Sequence, residues 1–181
     1  MEYPYSLSDY ADEVKDFCKS KNLTRPFVLA HSFGARVVFK IAENYPDFFS
    51  KVVLVGPAGI KPRFSLKKAV KKKTFDFLKR FVKREKLSAF YSKDYISLSP
   101  IMKKSFILVT RENLDEGIKR LSVPTLILVG KRDKETPVYM GRKLNKMIKN
   151  SKLKVLRGAG HFAFLDRPKQ VCEYITEFCK E

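Results

Sequence analysis

The strongest constraint on the fold is the alternation of short apolar runs with helical stripes. The runs are "PFVLA" at 26–30, "KVVLVG" at 51–56, "PTLILVG" at 124–130 and "KLKVLRG" at 152–158. Behind them, apolar residues recur at three- and four-residue spacing: Ala35, Val38, Phe39 and Ala42, then Met140, Leu144, Met147 and Ile148, then Val171, Cys172, Ile175 and Phe178. Near-continuous apolar strands cannot expose either face, so they need helices on both. The pattern predicts an α/β protein with a parallel sheet of about four strands joined by right-handed crossovers. A further helix precedes the first strand. Ser6 is its N-cap candidate, Asp9 stands three residues on, and Leu7, Tyr10, Ala11, Val14, Phe17 and Cys18 form its stripe.

One segment breaks the alternation. From about Lys61 to Lys119 no strand is evident, and the residues are too many for a plain connection. Its most regular part, "FSLKKAVKKKTFDFLKRFVKREK", puts Leu66, Ala69, Val70, Phe77, Leu78, Phe81 and Val82 on one face and Lys or Arg over most of the other. This predicts a core of 1–60 and 120–181 with a helical cap insertion at 61–119, sitting on the strand ends as a lid. The cap contributes to an unusual charge: 38 Lys and Arg against 19 Asp and Glu leave a formal +19. Such an excess favours polyanions or anionic membranes as partners. A solvated lid face explains the same excess and is preferred, so neither nucleic acid nor an anionic membrane is the expected partner. Three cysteines, Cys18, Cys172 and Cys179, are odd in number and have no CxxC spacing, so neither a closed disulfide framework nor a zinc site is indicated. They read as core thiols of a reducing cytosol. With no apolar run near the roughly 20 residues that span a bilayer, a soluble cytoplasmic protein is expected.

The chemistry centres on "AHSFG". Ser32 falls where a strand gives way to a helix, at the carboxyl end of the strand, where open α/β sheets collect functional groups. A nucleophilic serine must stand clear of the backbone, which a tight strand-to-helix turn achieves when the residues two before and two after are small. Here they are Ala30 and Gly34. The plainer reading is a helix N-cap. That reading leaves the later strand ends unexplained. Of the two histidines, His31 adjoins the serine and points elsewhere, so His161 in "RGAGHFAF" is the base candidate. Asp133 in "VGKRDKETP" follows the preceding strand and is the acid candidate, although a lone aspartate in a turn is most often an Asx-turn. Ser32, Asp133 and His161 then occupy three strand ends in the chain order of a serine hydrolase triad.

With these motifs the chain resembles the α/β-hydrolase superfamily over nearly its whole length: "AHSFG", "GKRDKETP" as G-x-x-D-x-x-x-P, and "GAGHF". "GPAGIKPR" and "KDYISLSPIMKKSF" are similar to the cap-flanking segments of small bacterial members. The resemblance implies a serine hydrolase acting on a carboxylic ester or related acyl bond of a small-molecule acyl substrate, without metal or organic cofactor. It makes Ser32 the nucleophile, His161 the general base and then acid, Asp133 the orienting acid and the Phe33 backbone N–H an oxyanion donor. Glu135 and Asp166 lie off the motif position and are weaker candidates for the acid. Against a family core of about eight strands the chain resembles the last four, without the loop that supplies a second oxyanion donor. This implies a fragment of a longer hydrolase, a chain completed by a partner or by self-association along the strand at 27–30, or a truncated fold kept as a binding module.

Overall fold

The computed structural model describes residues 3–62 and 98–181. The Leu66 to Val82 stripe, read from the sequence as the lid helix, lies outside them. The elements are α1 (Leu7–Ser20), β1 (Val28–His31), α2 (Phe33–Asn44), β2 (Val52–Val55), α3 (Pro100–Arg111), α4 (Asp115–Arg120), β3 (Thr125–Gly130), α5 (Val138–Met147), β4 (Ser151–Leu156), α6 (Ala163–Asp166) and α7 (Pro168–Lys180). They fall into two compact units, one of Ser6–Ile60 with Arg111–Glu181, the other of Met1–Tyr5 with Lys61–Thr110. In the second, nearly all of α3 lies alongside the N-terminal residues, and the Tyr5 N–H donates to Ser105 Oγ at 2.8 Å.

The first unit holds a four-stranded parallel sheet in the order β1-β2-β3-β4. Register explains how both faces are filled. Val53 pairs with Leu126 and Val55 with Leu128, and these four form one core cluster with Leu156, Ala159, Ala163 and the α7 residues Val171 and Phe178. The alternate residues Leu54, Ile127 and Val129 are equally buried, and Gly141 lets α5 approach the side chain of Val129. Each fully buried aliphatic side chain stabilises the fold by roughly 1.5–3 kcal/mol. The sheet is therefore sandwiched between helices, as the apolar runs require. β1 forms one end, pairing only with β2 among the described residues, and its Leu29 is 50% exposed.

α1 starts as its sequence dictates. Ser6 and Asp9 form a reciprocal capping box, with the Asp9 carboxylate accepting from the Ser6 N–H at 2.6 Å and Ser6 Oγ accepting from the Asp9 N–H. Hydrogen bonds from the Ser6 side chain and backbone hold the Asp9 carboxyl below its usual range. Two expectations fail. Phe17 is exposed although it fits the α1 stripe, and only Cys18 of the three cysteines is buried. The buried stripe of α7 runs through Val171 and Phe178 with Tyr174 and Ile175 beside it, which turns Cys172 and Cys179 to solvent. No helix among the described residues is long and apolar enough to cross a membrane.

Candidate active site

Ser32 directly follows β1 in a conformation that L-residues seldom adopt, φ 47° and ψ −108°. Such strain costs on the order of 1–3 kcal/mol and persists only when neighbours over-determine it. Here the Ser32 N–H donates to Val55 O at 3.0 Å, and its carbonyl accepts from the N–H groups of Ala35 and Ala58 at 3.2 and 3.1 Å. The turn packs tightly because Ala30 and Gly34 are small: a Cβ on Gly34 would lie 3.4 Å from that of Ala30. Ser32 occupies the N-cap position of α2, yet its side chain makes no capping bond. Its hydroxyl lies 2.9 Å from His161 Nε2 instead. The Phe33 N–H belongs to the first turn of α2, where backbone donors have no intrahelical acceptor.

The acid and base arrive on two loops tied together along the sheet's carboxyl edge. The Lys131 N–H donates to Leu156 O and the Arg132 N–H to Ala159 O, so the loops after β3 and β4 run side by side. This crossing needs a glycine, because a Cβ on Gly130 would stand 2.1 Å from Gly160 O and 2.6 Å from Ala159 O. Gly56 does the same at the end of β2: it has φ 51°, and a Cβ there would press on the His161 ring at 3.2 Å. The imidazole is thereby seated between Ser32 and Asp133, with His161 Nδ1 2.9 Å from Asp133 Oδ2.

Electrostatics fixes the proton positions. Asp133 is buried, with 5% of its surface exposed. Burial pushes its carboxyl up, but hydrogen bonds from His161, the Thr136 N–H and the Thr136 hydroxyl, with the charge of His161, outweigh burial and hold it below the usual carboxylate range. An ionised Asp133 can only accept, so Nδ1 carries the proton and donates. In the neutral imidazole this leaves Nε2 as the acceptor facing the Ser32 hydroxyl, the tautomer that proton abstraction from serine requires. The Asx-turn expected of an aspartate here is also present, since Oδ1 accepts from the N–H groups of Glu135 and Thr136 at 2.9 Å each. One carboxylate thus serves turn and histidine with different oxygens.

The sequence model of the family described as serine aminopeptidase, S33, matches residues 2–168. The chain belongs to this family. It is 24% identical over 204 residues to the uncharacterized hydrolase YugF of Bacillus subtilis, covering 97% of this chain and 73% of that one. It is 26% identical over 198 residues to a candidate esterase/lipase of Mycoplasma genitalium, covering 95% and 70%. Among solved structures, an esterase from Exiguobacterium antarcticum superposes with a TM-score of 0.73 at 24% identity, over 98% of this chain and 75% of that one. The four-stranded sheet described above is accordingly an α/β-hydrolase sheet.

Within this serine aminopeptidase family chain, the other residues weighed from sequence take distinct places. Glu135 Oε2 lies 3.4 Å from Nε2 of His161, on the serine side of the ring and not at Nδ1. Asp166 accepts from the Gly160 N–H at 2.7 Å, steadying the loop that carries His161. His31 packs against the His161 ring, and its Nε2 donates to the His161 carbonyl at 3.1 Å. Sequence reasoning missed Thr136, whose hydroxyl donates to Asp133 Oδ2 at 2.8 Å. Its signal is faint: a threonine three residues after a turn aspartate closes the turn in many loops. Among the described residues no three His, Cys, Asp or Glu side chains are grouped to hold a metal ion.

Proposed function

We propose that this chain is a serine hydrolase that cleaves a carboxylic ester or related acyl bond through an acyl-enzyme, with Ser32 as nucleophile, His161 as general base and then acid, and Asp133 as orienting acid. The observation that carries the reading is the unbroken chain Ser32 Oγ, His161 Nε2, His161 Nδ1, Asp133 Oδ2, with 2.9 Å at each contact. In this reading Ser32 Oγ attacks the acyl carbon while its proton passes to Nε2. Asp133 stabilises the imidazolium without taking a proton. The oxyanion of the tetrahedral intermediate is met by the Phe33 N–H at the start of α2, where the helix dipole adds to the donor. Collapse breaks the bond to the leaving group, which takes the proton from Nε2. Water then repeats the sequence on the acyl-serine, with Nε2 accepting its proton and returning it to Ser32 Oγ as the acid departs.

The relatives named as esterases or lipases support a small-molecule acyl substrate for this chain. Hydrolysis of a short-chain aryl ester is the direct test. Turnover above the buffer rate that Ser32→Ala and His161→Ala both abolish is the expected result. Turnover surviving Ser32→Ala contradicts the reading, and no turnover with any ester of a short-chain panel favours a binding module built on the same fold.

A further inference from the structure

We infer that Glu135 selects the leaving group of the reaction proposed above, disfavouring anionic alcohols and favouring cationic ones. The inference rests on that acyl-transfer reading. Glu135 Oε2 is 3.4 Å from His161 Nε2, the nitrogen that receives the serine proton and passes it on. A departing oxygen must come within about 3 Å of Nε2 to take that proton. It therefore departs within roughly 6 Å of the Glu135 carboxylate. The side chain of Glu135 is 68% exposed, so an entering substrate meets its charge, while that of His161 is only 8% exposed.

The other groups facing the ring do not duplicate this charge. Asp133 lies behind the imidazole at Nδ1, buried, with its oxygens engaged by His161, Thr136 and the turn N–H groups. His31 packs its ring 4.8 Å from that of His161 and donates to the His161 carbonyl. Any influence of Glu135 on the ring itself is the same for every substrate and cancels when leaving groups are compared. The formal +19 of the whole chain pulls the other way, attracting anions from a distance. Mobile ions screen that field beyond about 8 Å at physiological salt, so the near carboxylate dominates at the departing atom.

The test uses three acetate esters that differ in the charge of the alcohol: acetylcholine, its uncharged isostere 3,3-dimethylbutyl acetate, and the acetate ester of 2-hydroxyethanesulfonate. Each reaction consumes water, breaks the acyl–oxygen bond and releases acetate with the free alcohol, so a pH-stat follows all three. The ratio of kcat/KM for the cationic ester to that for the anionic ester is expected to fall about threefold to tenfold in Glu135→Gln, with the neutral ester in between. A ratio is blind to the fraction of folded enzyme, so partial loss of fold in the variant does not imitate the effect. A ratio equal in both proteins overturns the assignment of Glu135 while leaving the acyl-transfer reading in place. Absence of Ser32-dependent turnover of all three esters overturns both.

Discussion

Two carboxylates stand close to His161, and their roles differ by which nitrogen each meets. Asp133 accepts from Nδ1 in a buried, fully hydrogen-bonded setting, whereas Glu135 faces Nε2 from solvent. Asp133→Asn is therefore expected to keep the fold and lower ester turnover by up to about 10⁴-fold, because the amide leaves the imidazole in the wrong tautomer. A smaller loss than in Glu135→Gln, measured with a neutral ester, would remove Asp133 from the orienting role. The lowered carboxyl of Asp133 also sets a sign for stability. A group whose folded pKa lies below its unfolded value stabilises the protein above the unfolded value, and that contribution disappears as pH falls through the folded one. Denaturant titrations of Asp133→Asn are thus expected to show less stability lost than the parent protein as pH falls below about 4. Ser32, Asp133 and His161 were legible in the sequence because each follows a recognisable strand and because nucleophile geometry demands small neighbours. Thr136 and the clamp from His31 to the His161 carbonyl were not, since a polar side chain that bonds one backbone or carboxylate atom leaves no periodic trace.

At the scale of elements, the strands and their carboxyl ends came through from sequence because a buried parallel strand must be apolar on both faces. The reading places strands at 51–56 and 124–130, and the structure shows β2 and β3 there. The α1 start was equally legible from Ser6 and Asp9, and Ser6→Ala is expected to lower stability by about 1 kcal/mol in chemical denaturation. What a helical stripe cannot convey is which edge of it meets the core, and Phe17 and Cys172 fit their stripes yet face solvent. Nor does a glycine in a G-x-x-D motif reveal its steric purpose. Gly130→Ala is expected to push apart the loops carrying Asp133 and His161, because the new methyl meets backbone oxygens of Ala159 and Gly160 that cannot rotate away. A stability loss of about 1–3 kcal/mol with a larger proportional loss of ester turnover is the predicted outcome. Unchanged stability and turnover would show that the two loops separate readily.

For the whole molecule, the α/β class and the parallel sheet stand on the alternation of strands and helices, and the family on the match of its sequence model to residues 2–168. The sheet unit brings Ser32 together with His161, 129 residues further along the chain, and with Asp133, 28 residues before that histidine. Such a constellation is what a fold is needed for, because no local segment could hold a strained serine beside an imidazole whose tautomer is set by a buried carboxylate. The charge of the chain was legible as a number but not as a purpose, since a surplus of lysine solvates a surface as readily as it recruits an anion. The central claim is that the Ser32 hydroxyl is activated by this assembly. Intact-protein mass spectrometry after exposure to an active-site phosphonate, followed by peptide mapping, tests it without knowledge of the natural substrate. The account predicts a single adduct on Ser32, absent in Ser32→Ala and formed far more slowly in His161→Ala. An unmodified protein, or an adduct on another serine, would contradict it.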